Sequence, residues 1–514
     1  MKKIFFMLSC FAAALNSIAQ EPADALRYSW YTSNGTARQQ SIGGAMGSLG
    51  GEISSIFVNP AGLGFYKTRE VVLTPAYTLL NNKATYFGRQ EMDKKNGLSF
   101  GTNGIVFGDG TNTRKKGMTS NVLALGVNQI ANFRSNLIYR GQTSQSSYSQ
   151  KFLEEIQNNN DKDANHVADG YPYGTSLAFN TYWIDTIAGG TPNNYQFQTR
   201  SPIATGLLQE NIIASSGGIT EIAMAAASGF GDKVFAGITI GIPILTYKRE
   251  GAFTEADATS NVNNKFDFAR VEESLKTTGA GINIRLGMIF KPAEYFRVGL
   301  AIHSPTYFSL TDKYSTTITA ATEAYKGILH QSSGDITGSP TSDFKYALTT
   351  PFRIIASASY VLREIQDVRK QRGFLTADIE FLSYRSSSFH ADPSDKDPST
   401  KTYLKSLNQA INNAYKPSFN FRAGGELKFT YVMVRAGVAY YGNPYKNLAG
   451  EKGNRFQLTG GLGYRNKGIF IDVAYVHTMG KDIHFPYRLQ NGPFTGATIR
   501  STGGNAVLTV GFKI

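Results

Sequence analysis

The second half of the chain alternates apolar and polar residues with a period of two, which predicts β-strands. Residues 234–244 show the pattern clearly, because every second position is apolar: Val234, Ala236, Ile238, Ile240, Ile242 and Ile244. The alternating segments run for about ten residues, whereas strands of soluble sheets usually have about five or six. A tilted strand of about ten residues crosses the hydrocarbon core of a bilayer, so the length favours membrane-spanning strands over a soluble sandwich.

The charges on these strands fall on the face opposite the apolar row. They are Arg285, Arg297, Arg353, Asp378, Glu380, Arg422, Glu426, Arg435 and Asp472. A basic side chain that faces lipid at mid-depth costs about 2–4 kcal/mol and an acidic one less, whereas a charge that faces a water-filled lumen costs little. The polar faces are therefore expected to line the lumen of a barrel, and the apolar faces to contact lipid.

The same pattern places fourteen strands along the chain. They lie near residues 70–80, 98–107, 119–130, 218–228, 233–248, 279–291, 296–309, 344–362, 373–385, 416–429, 431–441, 454–466, 468–479 and 503–514. An even strand number, with short turns after even-numbered strands and long loops after most odd-numbered ones, is typical of bacterial outer-membrane barrels. We therefore expect an all-β fold, a transmembrane antiparallel β-barrel of about fourteen strands over residues 70–514.

The N-terminus predicts export to the outer membrane of a Gram-negative cell. Two lysines and an apolar stretch over residues 4–15 precede small residues that fit a peptidase site after Ala19. Residues 1–19 are thus a predicted signal peptide, and its removal takes away the single cysteine, Cys10, so that no disulfide or thiol chemistry is expected. The net charge of +14 is spread without any run of five basic residues, so nucleic-acid binding is not indicated.

Residues 20–69 lack the alternation of the barrel wall. They begin with Pro22, which suits the first turn of a short helix. A run of small residues follows over positions 41–51, rich in glycine and serine. This composition ahead of the first strand predicts an N-terminal plug that lies inside the lumen.

Two motifs in the plug region resemble those of a known family. They are the small-residue stretch from Ala37-Arg38 to Gly47, and Asn59-Pro60-Ala61-Gly62-Leu63 just before the first strand. With the fourteen predicted strands and the long early loops, the whole mature chain resembles the long-chain fatty acid transporters of the outer membrane and their toluene- and xylene-uptake relatives. The terminal Ile514, where an aromatic residue is usual, and the enlarged loop over residues 131–217 depart from that pattern.

The resemblance implies an uptake channel for hydrophobic small molecules such as long-chain fatty acids. Extracellular loops would capture the ligand, and a shift of the plug would release it, in several members sideways through a gap beside a kinked third strand. Asn59, Pro60 and Ala61 would form the gating motif of the plug. In this chain the third strand is expected over residues 120–132, where Gly126 is either a kink or an ordinary glycine facing the lumen.

The expected partners are the hydrophobic ligand and the lipid and lipopolysaccharide of the outer membrane, with the chain acting as a monomer without a cofactor. Apolar residues recur at helical spacing within the loops 386–415 and 310–343, which predicts amphipathic helices there. Such helices either build an apolar landing groove for the ligand or only pack against the barrel rim.

Catalytic and metal sites are not indicated. The six histidines form no closely spaced ligand set, and His303-Ser304 has no placed acid or oxyanion donor. The lumen arginines either bind a ligand carboxylate or balance the lumen carboxylates. Two other functions stay open: a surface-exposed barrel that binds haem or mediates adhesion without transport, and an outer-membrane enzyme, which the missing dyad disfavours.

Overall fold

The chain forms a closed antiparallel barrel around its own N-terminal segment. The structure is a computed structural model that describes residues 21–110, 117–191, 193–259, 261–362, 372–446 and 453–514. The predicted signal peptide over residues 1–19, with Cys10, lies outside the described residues.

Fourteen strands, β1–β14 in chain order, build the wall, and several of them consist of two segments. They are β1 (Arg69–Leu73 and Pro75–Tyr86), β2 (Arg89–Phe100 and Asn103–Asp109), β3 (Met118–Asn132 and Ser135–Thr143), β4 (Leu207–Phe230), β5 (Val234–Asp257), β6 (Phe268–Ala293), β7 (Phe296–His303 and Tyr307–Ala321), β8 (Ser342–Thr349 and Arg353–Leu362), β9 (Gly373–Ser383), β10 (Pro417–Lys428), β11 (Val432–Tyr441), β12 (Arg455–Asn466), β13 (Ile469–His484) and β14 (Ala497–Lys513).

The barrel closes between its last and first strands. β14 pairs antiparallel with β13 on one side and with both segments of β1 on the other. In this closing seam Leu73 lies opposite Val510, and Tyr77 lies opposite Ala506. The prediction of an all-β barrel with about fourteen strands is confirmed.

The wall separates two environments, as the alternation predicted. On the outer surface Ile240 of β5 is 41% exposed and Leu286 of β6 is 52% exposed, whereas their inward neighbours Thr239 and Arg285 are buried. The charged residues assigned to the polar faces all lie on the inner side, where most are buried. The outer surface therefore carries an apolar belt, and the inner surface carries the charges.

Several strands continue well beyond this belt. β4, β5 and β6 have 24, 24 and 26 residues, about twice the length that crosses a bilayer. On β5 the outward row is apolar up to Ile244 and becomes polar at Thr246 and Lys248. These extensions stand at the end of the barrel that carries the long connections, which is the extracellular end in barrels of this kind.

The first hairpin is longer than the sequence pattern predicted. β2 begins at Arg89 instead of near residue 98, because Phe87 and Gly88 form a tight turn with φ of 45° and 79°. Positive φ at both central residues is the geometry that joins twisted antiparallel strands directly. Residues 89–96 are mostly charged or polar, so this part of the strand does not alternate between apolar and polar residues and was not predicted from the sequence.

The helices lie in the plug and in the extracellular loops. They are α1 (Pro22–Arg27), α2 (Ala37–Ser41) and α3 (Ser55–Val58) in the plug, followed there by a 3₁₀ helix (Pro60–Phe65), and α4 (Ser149–Asn158), α5 (Ala164–Asp169), α6 (Thr175–Asn180), α7 (Ser333–Thr337) and α8 (Pro398–Ala414) in the loops. Among the described residues, no helix is both long enough and apolar enough to span a membrane.

The two helical predictions for the loops have different outcomes. Within residues 386–415, α8 confirms the amphipathic helix, and it buries Leu404, Leu407 and Ile411 against the interior of the barrel mouth. The helix predicted within residues 310–343 is wrong for its main apolar stretch. There β7 continues to Ala321, and after a turn the chain returns as the strand Ile328–Ser332. Threonine-rich, β-branched residues before position 321 explain why the strand is prolonged.

Candidate functional site in the plug and the barrel wall

The hydrogen-bonded ladder of the wall is interrupted between β2 and β3. The lower segment of β2 pairs in register with residues 121–127 of β3. Above that level, within the described chain, the segment Arg89–Phe100 pairs only with β1, and Ser135–Thr143 pairs only with β4. Leu98, on the β2 margin, and Leu125, just below the gap on β3, point outward and are 77% and 49% exposed. The gap therefore begins within the lipid-facing belt.

The strand β3 bends where the ladder ends. Its register with β4 shifts between Gln129 and Ala131, which marks a bulge. A bulge bends a strand and leaves backbone groups without a ladder partner. Two residues further on, Phe133-Arg134 separates the two segments of β3. The irregular part of the third strand is thus residues 129–134.

Gly126, the candidate kink from the sequence, lies below this irregular part. It pairs in register with Gly104 on β2 and with Ala223 on β4. A Cβ atom at this position would stand 2.9 Å from the Ile56 side chain and 3.2 Å from the ring of Phe57. The absence of a side chain at Gly126 therefore lets α3 of the plug approach the wall.

The side chain of Asn34 connects the plug to both margins of the gap. Its Nδ2 donates hydrogen bonds to the carbonyl oxygen of Phe100 on β2, at 2.9 Å, and to that of Gln129 on β3, at 2.7 Å. Asn128 donates in turn to the Asn34 carbonyl at 3.0 Å, and Gln40 donates to the Asn34 Oδ1 at 2.8 Å. Because backbone carbonyls without a strand partner need a donor, Asn34 replaces part of the missing ladder.

Two wall side chains bridge the gap at other points. The Arg134 guanidinium donates to the carbonyl oxygen of Leu98 across the opening, at 3.2 Å. Further up, the Asn82 amide of β1 donates to the carbonyl oxygen of Asn136 on β3 at 2.6 Å. Closure of this part of the wall thus depends on side chains, which can change rotamer without unfolding a strand.

An aromatic cluster lies directly inside the gap. The Phe133 ring stands 5.8 Å from the ring of Tyr28 in α1 and 5.5 Å from that of Tyr247 on β5. The guanidinium of Arg27 lies 4.5 Å from the centre of the Tyr247 ring. This cluster is continuous with the buried face of α8, so apolar surface extends from the extracellular loops to the inner side of the gap.

The motif Asn59-Pro60-Ala61 lies at the other side of the lumen, against β5, β6 and β7. Asn59 is fully buried, and its Nδ2 donates to the carbonyl oxygens of Gly47 at 2.6 Å and Met288 at 3.3 Å. Its Oδ1 accepts a hydrogen bond from the Ala61 N–H at 3.1 Å, which caps the 3₁₀ helix that Pro60 begins. One side chain thus links two turns of the plug to a wall strand.

Inward-facing glycines of the wall make room for the plug backbone. A Cβ at Gly287 would lie 1.9 Å from Asn59 Oδ1, and one at Gly237 would lie 2.5 Å from the Pro60 carbonyl carbon. Further positions where a wall Cβ would meet the plug are Gly299, Gly424, Gly437 and Gly461. The plug is therefore fitted to the wall along much of its length, because only hydrogen atoms stand between the two backbones there.

Wall charges also hold the plug. Asp378 of β9 accepts hydrogen bonds from the backbone N–H groups of Met46, at 3.0 Å, and Gly47, at 3.2 Å. Arg297 of β7 donates to the carbonyl oxygen of Leu49 at 2.6 Å, and Arg353 of β8 donates to that of Ser29 at 2.7 Å. Such charge-assisted bonds are about twice as strong as neutral ones.

The other lumen arginines named from the sequence, Arg285, Arg422 and Arg435, pair with carboxylates of neighbouring strands. Arg435 contacts Glu426 and Asp472, each at 2.6 Å. Arg285 holds Glu221 with two bonds of 2.7 Å. Of the two interpretations drawn from the sequence, the geometry fits balanced charges within the lumen, because these guanidinium groups already have carboxylate partners.

The extracellular loops form a folded cap over the barrel mouth. Tyr148, Phe152 and Trp183 pack in its core together with Phe253 of β5. Below them the buried carboxylate of Glu255 accepts hydrogen bonds from Ser147, from Ser201 and Gln209 at 2.8 Å each, and from the Tyr148 N–H at 3.1 Å. Burial raises the pKa of Glu255, and the hydrogen bonds oppose that shift.

Sequence reasoning identified the plug motif but missed Asn34 and the bridge from Arg134. The signal available was the polar pair Asn128-Gln129, which interrupts the apolar row of the predicted third strand. The three-residue stretch Ser33-Asn34-Gly35 has turn composition only, and nothing in its local pattern indicates a contact with the wall.

The described residues contain no group of three or more potential metal ligands close together. His303 Nε2 lies 2.8 Å from the Val58 carbonyl oxygen in the plug, and the Ser304 hydroxyl donates to the Pro305 carbonyl. The two side chains are thus engaged with backbone groups, and their arrangement differs from that of a hydrolytic dyad.

Of the comparisons with known proteins, the one with solved structures finds a similar fold. No protein-family model matches the chain, and no curated protein sequence matches it. Among solved structures, a Pseudomonas aeruginosa FadL homologue is 14% identical with a TM-score of 0.54, covering 94% of this chain and 99% of the homologue. The P. putida toluene transporter TodX is 12% identical with a TM-score of 0.50, covering 95% of this chain and 99% of TodX.

At this level of identity the similarity concerns the fold, and it extends over nearly the whole described chain. It agrees with the closed barrel described above. By its fold, the chain is a β-barrel of the type formed by this FadL homologue and by TodX.

Proposed function

We propose that the protein is an uptake channel that carries hydrophobic small molecules, such as long-chain fatty acids, across the outer leaflet. The observation that supports this most directly is the gap between β2 and β3, which lies in the lipid-facing belt and is closed by side chains. A barrel wall that served only for anchoring would have no reason to leave a ladder open in hydrocarbon, where unpaired backbone groups are costly.

Capture of the ligand is assigned to the extracellular cap and to α8. The apolar face of α8 meets α1 of the plug and the aromatic residues around Tyr247. A hydrophobic molecule that enters between these elements replaces side-chain contacts with ligand contacts of the same character. Movement of α8 or of α1 is therefore the step that admits the ligand.

Release is assigned to a shift of the plug. Asn59, Pro60 and Ala61 keep the lower plug fixed to β5–β7, whereas Asn34 holds the upper plug to the margins of the gap. Loss of the Asn34 bonds on ligand entry would open a lateral path into the membrane past Phe133. The lumen below stays filled by the anchored segment, so polar solutes do not leak.

This scheme needs no catalytic group, and each barrel contains its own plug, so a monomer suffices. A ligand that moved through the lumen into the periplasm would not pass the margins of the gap. Substitutions at these margins are therefore expected to change the uptake rate only if release is lateral.

The test is uptake of labelled oleate and of a labelled monoaromatic hydrocarbon into proteoliposomes. We expect the wild-type protein to accelerate uptake of at least one of them, Asn59→Ala to change that rate, and Asn412→Ala, on the exposed side of α8, to leave it unchanged. Equal rates for wild type and Asn59→Ala would show that anchoring of the lower plug by the motif has no influence on uptake, contrary to the scheme. Binding without uptake in either protein would favour the surface-binding barrel.

A further inference from the structure

Three cations stand side by side on the outer surface at the closing seam of the barrel. In the register of the sheet, Arg500 of β14 lies directly opposite Lys83 of β1 and directly opposite Lys481 of β13. All three side chains point outward and are exposed. Directly opposite residues have Cβ atoms about 4.5–5.5 Å apart. Lys94 of β2, also outward and exposed, lies one diagonal step from Lys83.

This cationic row lies just above the apolar belt. On β13 the outward positions run from Ile469 to Met479 before Lys481 is reached. On the seam, Tyr77 and Tyr475 form an aromatic level below the row, both exposed. Aromatic residues mark the interface of membrane barrels, and the row is on the side of the long extracellular connections. It is therefore at the height of the headgroups of the outer leaflet.

Within the part of the chain that the structure describes, the row carries no compensating carboxylate. Among the described residues, the side chains of Lys83, Arg500 and Lys481 have no ion-pair partner. The outward positions next to them on their own strands are not acidic: Asn81, Thr85, Thr498, Thr502, Met479 and Ile483. Like charges directly opposite one another on a sheet are destabilising, so the three cations carry an electrostatic cost that an anion would remove.

A second row of lysines shows the alternative arrangement. Lys248, Lys276 and Lys313 are also directly opposite one another, on β5, β6 and β7. There, however, Lys248 contacts Glu250 and Lys313 contacts Asp343, at 2.5 and 3.1 Å. Among the described residues, the chain thus neutralises one outward cationic row with its own carboxylates and leaves the other without them.

We infer that the row of Lys83, Arg500 and Lys481, with Lys94 beside it, binds the phosphate groups of a phosphorylated glycolipid of the outer leaflet. Arginine holds a phosphate through paired N–H donors, and lysine adds a compact positive charge. Clusters of basic residues at a membrane surface bind anionic lipid headgroups in the same way. The acyl chains of such a lipid would lie on the apolar belt below, beside Tyr77 and Tyr475.

The inference depends on the position of the barrel in the membrane and is independent of the proposed uptake. The test is native mass spectrometry of the delipidated mature protein, titrated with bisphosphorylated lipid A and with the same lipid after its phosphates have been removed. At about 1 kcal/mol for each cation, the variant Lys83→Gln/Arg500→Gln/Lys481→Gln is expected to bind the phosphorylated lipid roughly 100-fold more weakly.

The matched control is Lys67→Gln/Lys233→Gln/Lys467→Gln, which removes three exposed lysines at the opposite end of the barrel. It is expected to bind like the wild type, and the dephosphorylated lipid is expected to bind weakly and equally to all three proteins. Heat-modifiable gel mobility reports whether each variant is folded. If the variant Lys83→Gln/Arg500→Gln/Lys481→Gln (the seam variant) does not fold, the comparison of the two lipids on the wild-type protein still tests the inference. Equal binding of the phosphorylated and the dephosphorylated lipid by the wild type would overturn it. Undiminished binding of the phosphorylated lipid by a folded seam variant would do so as well.

Discussion

The Nδ2 atom of Asn34 in the plug lies 2.7 Å from the carbonyl oxygen of Gln129, at the bulge where β3 leaves its ladder with β2. The same atom lies 2.9 Å from the carbonyl oxygen of Phe100 on the other margin of the gap. A single amide group therefore connects the plug with both edges of the opening. We therefore expect a movement of the plug to change the closure of the wall without any movement of the barrel strands.

Replacement of Asn34 by alanine should loosen this closure. The carbonyls of Phe100 and Gln129 would lose their donor, and an unsatisfied buried group costs about 1–3 kcal/mol. We expect amide hydrogen exchange of residues 128–136 to accelerate roughly 5- to 100-fold as a result. The control Asn412→Ala removes an exposed amide of α8 and should leave that exchange unchanged. Unaltered exchange in Asn34→Ala would show that the wall is closed by other contacts.

A methyl group on the wall at Gly237 should displace the lower plug. The new Cβ would come within 2.5–2.7 Å of the backbone of Pro60 and Ala61, and overpacking of this kind costs about 1–3 kcal/mol. Gly251→Ala, on the same strand, is the matched control, because no atom lies within 4 Å of a Cβ there. Hydrogen exchange of residues 55–65 should accelerate in Gly237→Ala only. Equal exchange in the two variants would contradict the close fit between plug and wall.

The variant Arg435→Met should destabilise the barrel strongly. It leaves Glu426 and Asp472 buried without their shared cation, and breaking a buried pair in this way costs about 3–5 kcal/mol. Arg270→Met removes an exposed arginine that contacts Glu272 and should cost less than about 1 kcal/mol. The midpoints of urea unfolding in detergent, followed by the gel shift, give both values. Similar midpoints for the two variants would refute the importance of the lumen pair.

Acid should weaken the contact between β13 and the upper segment of β3 through His484. Its Nδ1 lies 2.9 Å from the Tyr139 hydroxyl, and burial, assisted by Arg249, lowers the pKa of His484 from 6.5 to about 4. A lowered pKa means that the fold favours the neutral ring, so its contribution is full above pH 6.5 and is lost as the pH falls through about 4. Wild type should therefore lose more stability between pH 7 and pH 4 than His484→Gln, by denaturant unfolding. Parallel pH profiles would exclude this role of the ring.

The sequence allowed the wall to be predicted well, for a physical reason. Lipid on one side and a polar lumen on the other impose alternation of apolar and polar residues on every strand. An apolar residue such as Ile240 is therefore predicted to face lipid, and a charged residue such as Arg285 to face the lumen. The same alternation gave the strand number, and the lengths of the connections between strands gave the orientation. Charged strand segments outside the membrane, such as residues 89–96, do not show this alternation, because both of their faces are exposed to water.

The candidate site was only partly predictable. Asn59 was singled out by its motif, and its burial against β6 fits the expected plug, although its gating role stays a proposal. Asn34 donates hydrogen bonds to the carbonyl oxygens of Phe100 and Gln129, which are far away in sequence. Contacts of this kind produce no periodic pattern in the sequence. The position of the bulge likewise depends on how β3 meets its neighbours, so Gly126 and the bent residues 129–134 could not be distinguished from the sequence.

The central claim is that hydrophobic molecules leave through the gap between β2 and β3. The mature chain is expected to lack cysteine, so Leu98→Cys and Arg134→Cys can be joined across the gap with a reversible bis-methanethiosulfonate reagent. The control pair, Ile240→Cys and Ile284→Cys, joins directly opposite outward positions of an intact ladder. Proteoliposome uptake of the hydrophobic ligand should fall to the protein-free rate when the gap is joined, recover on reduction, and stay unchanged in the control. Full uptake with the gap joined would contradict lateral release.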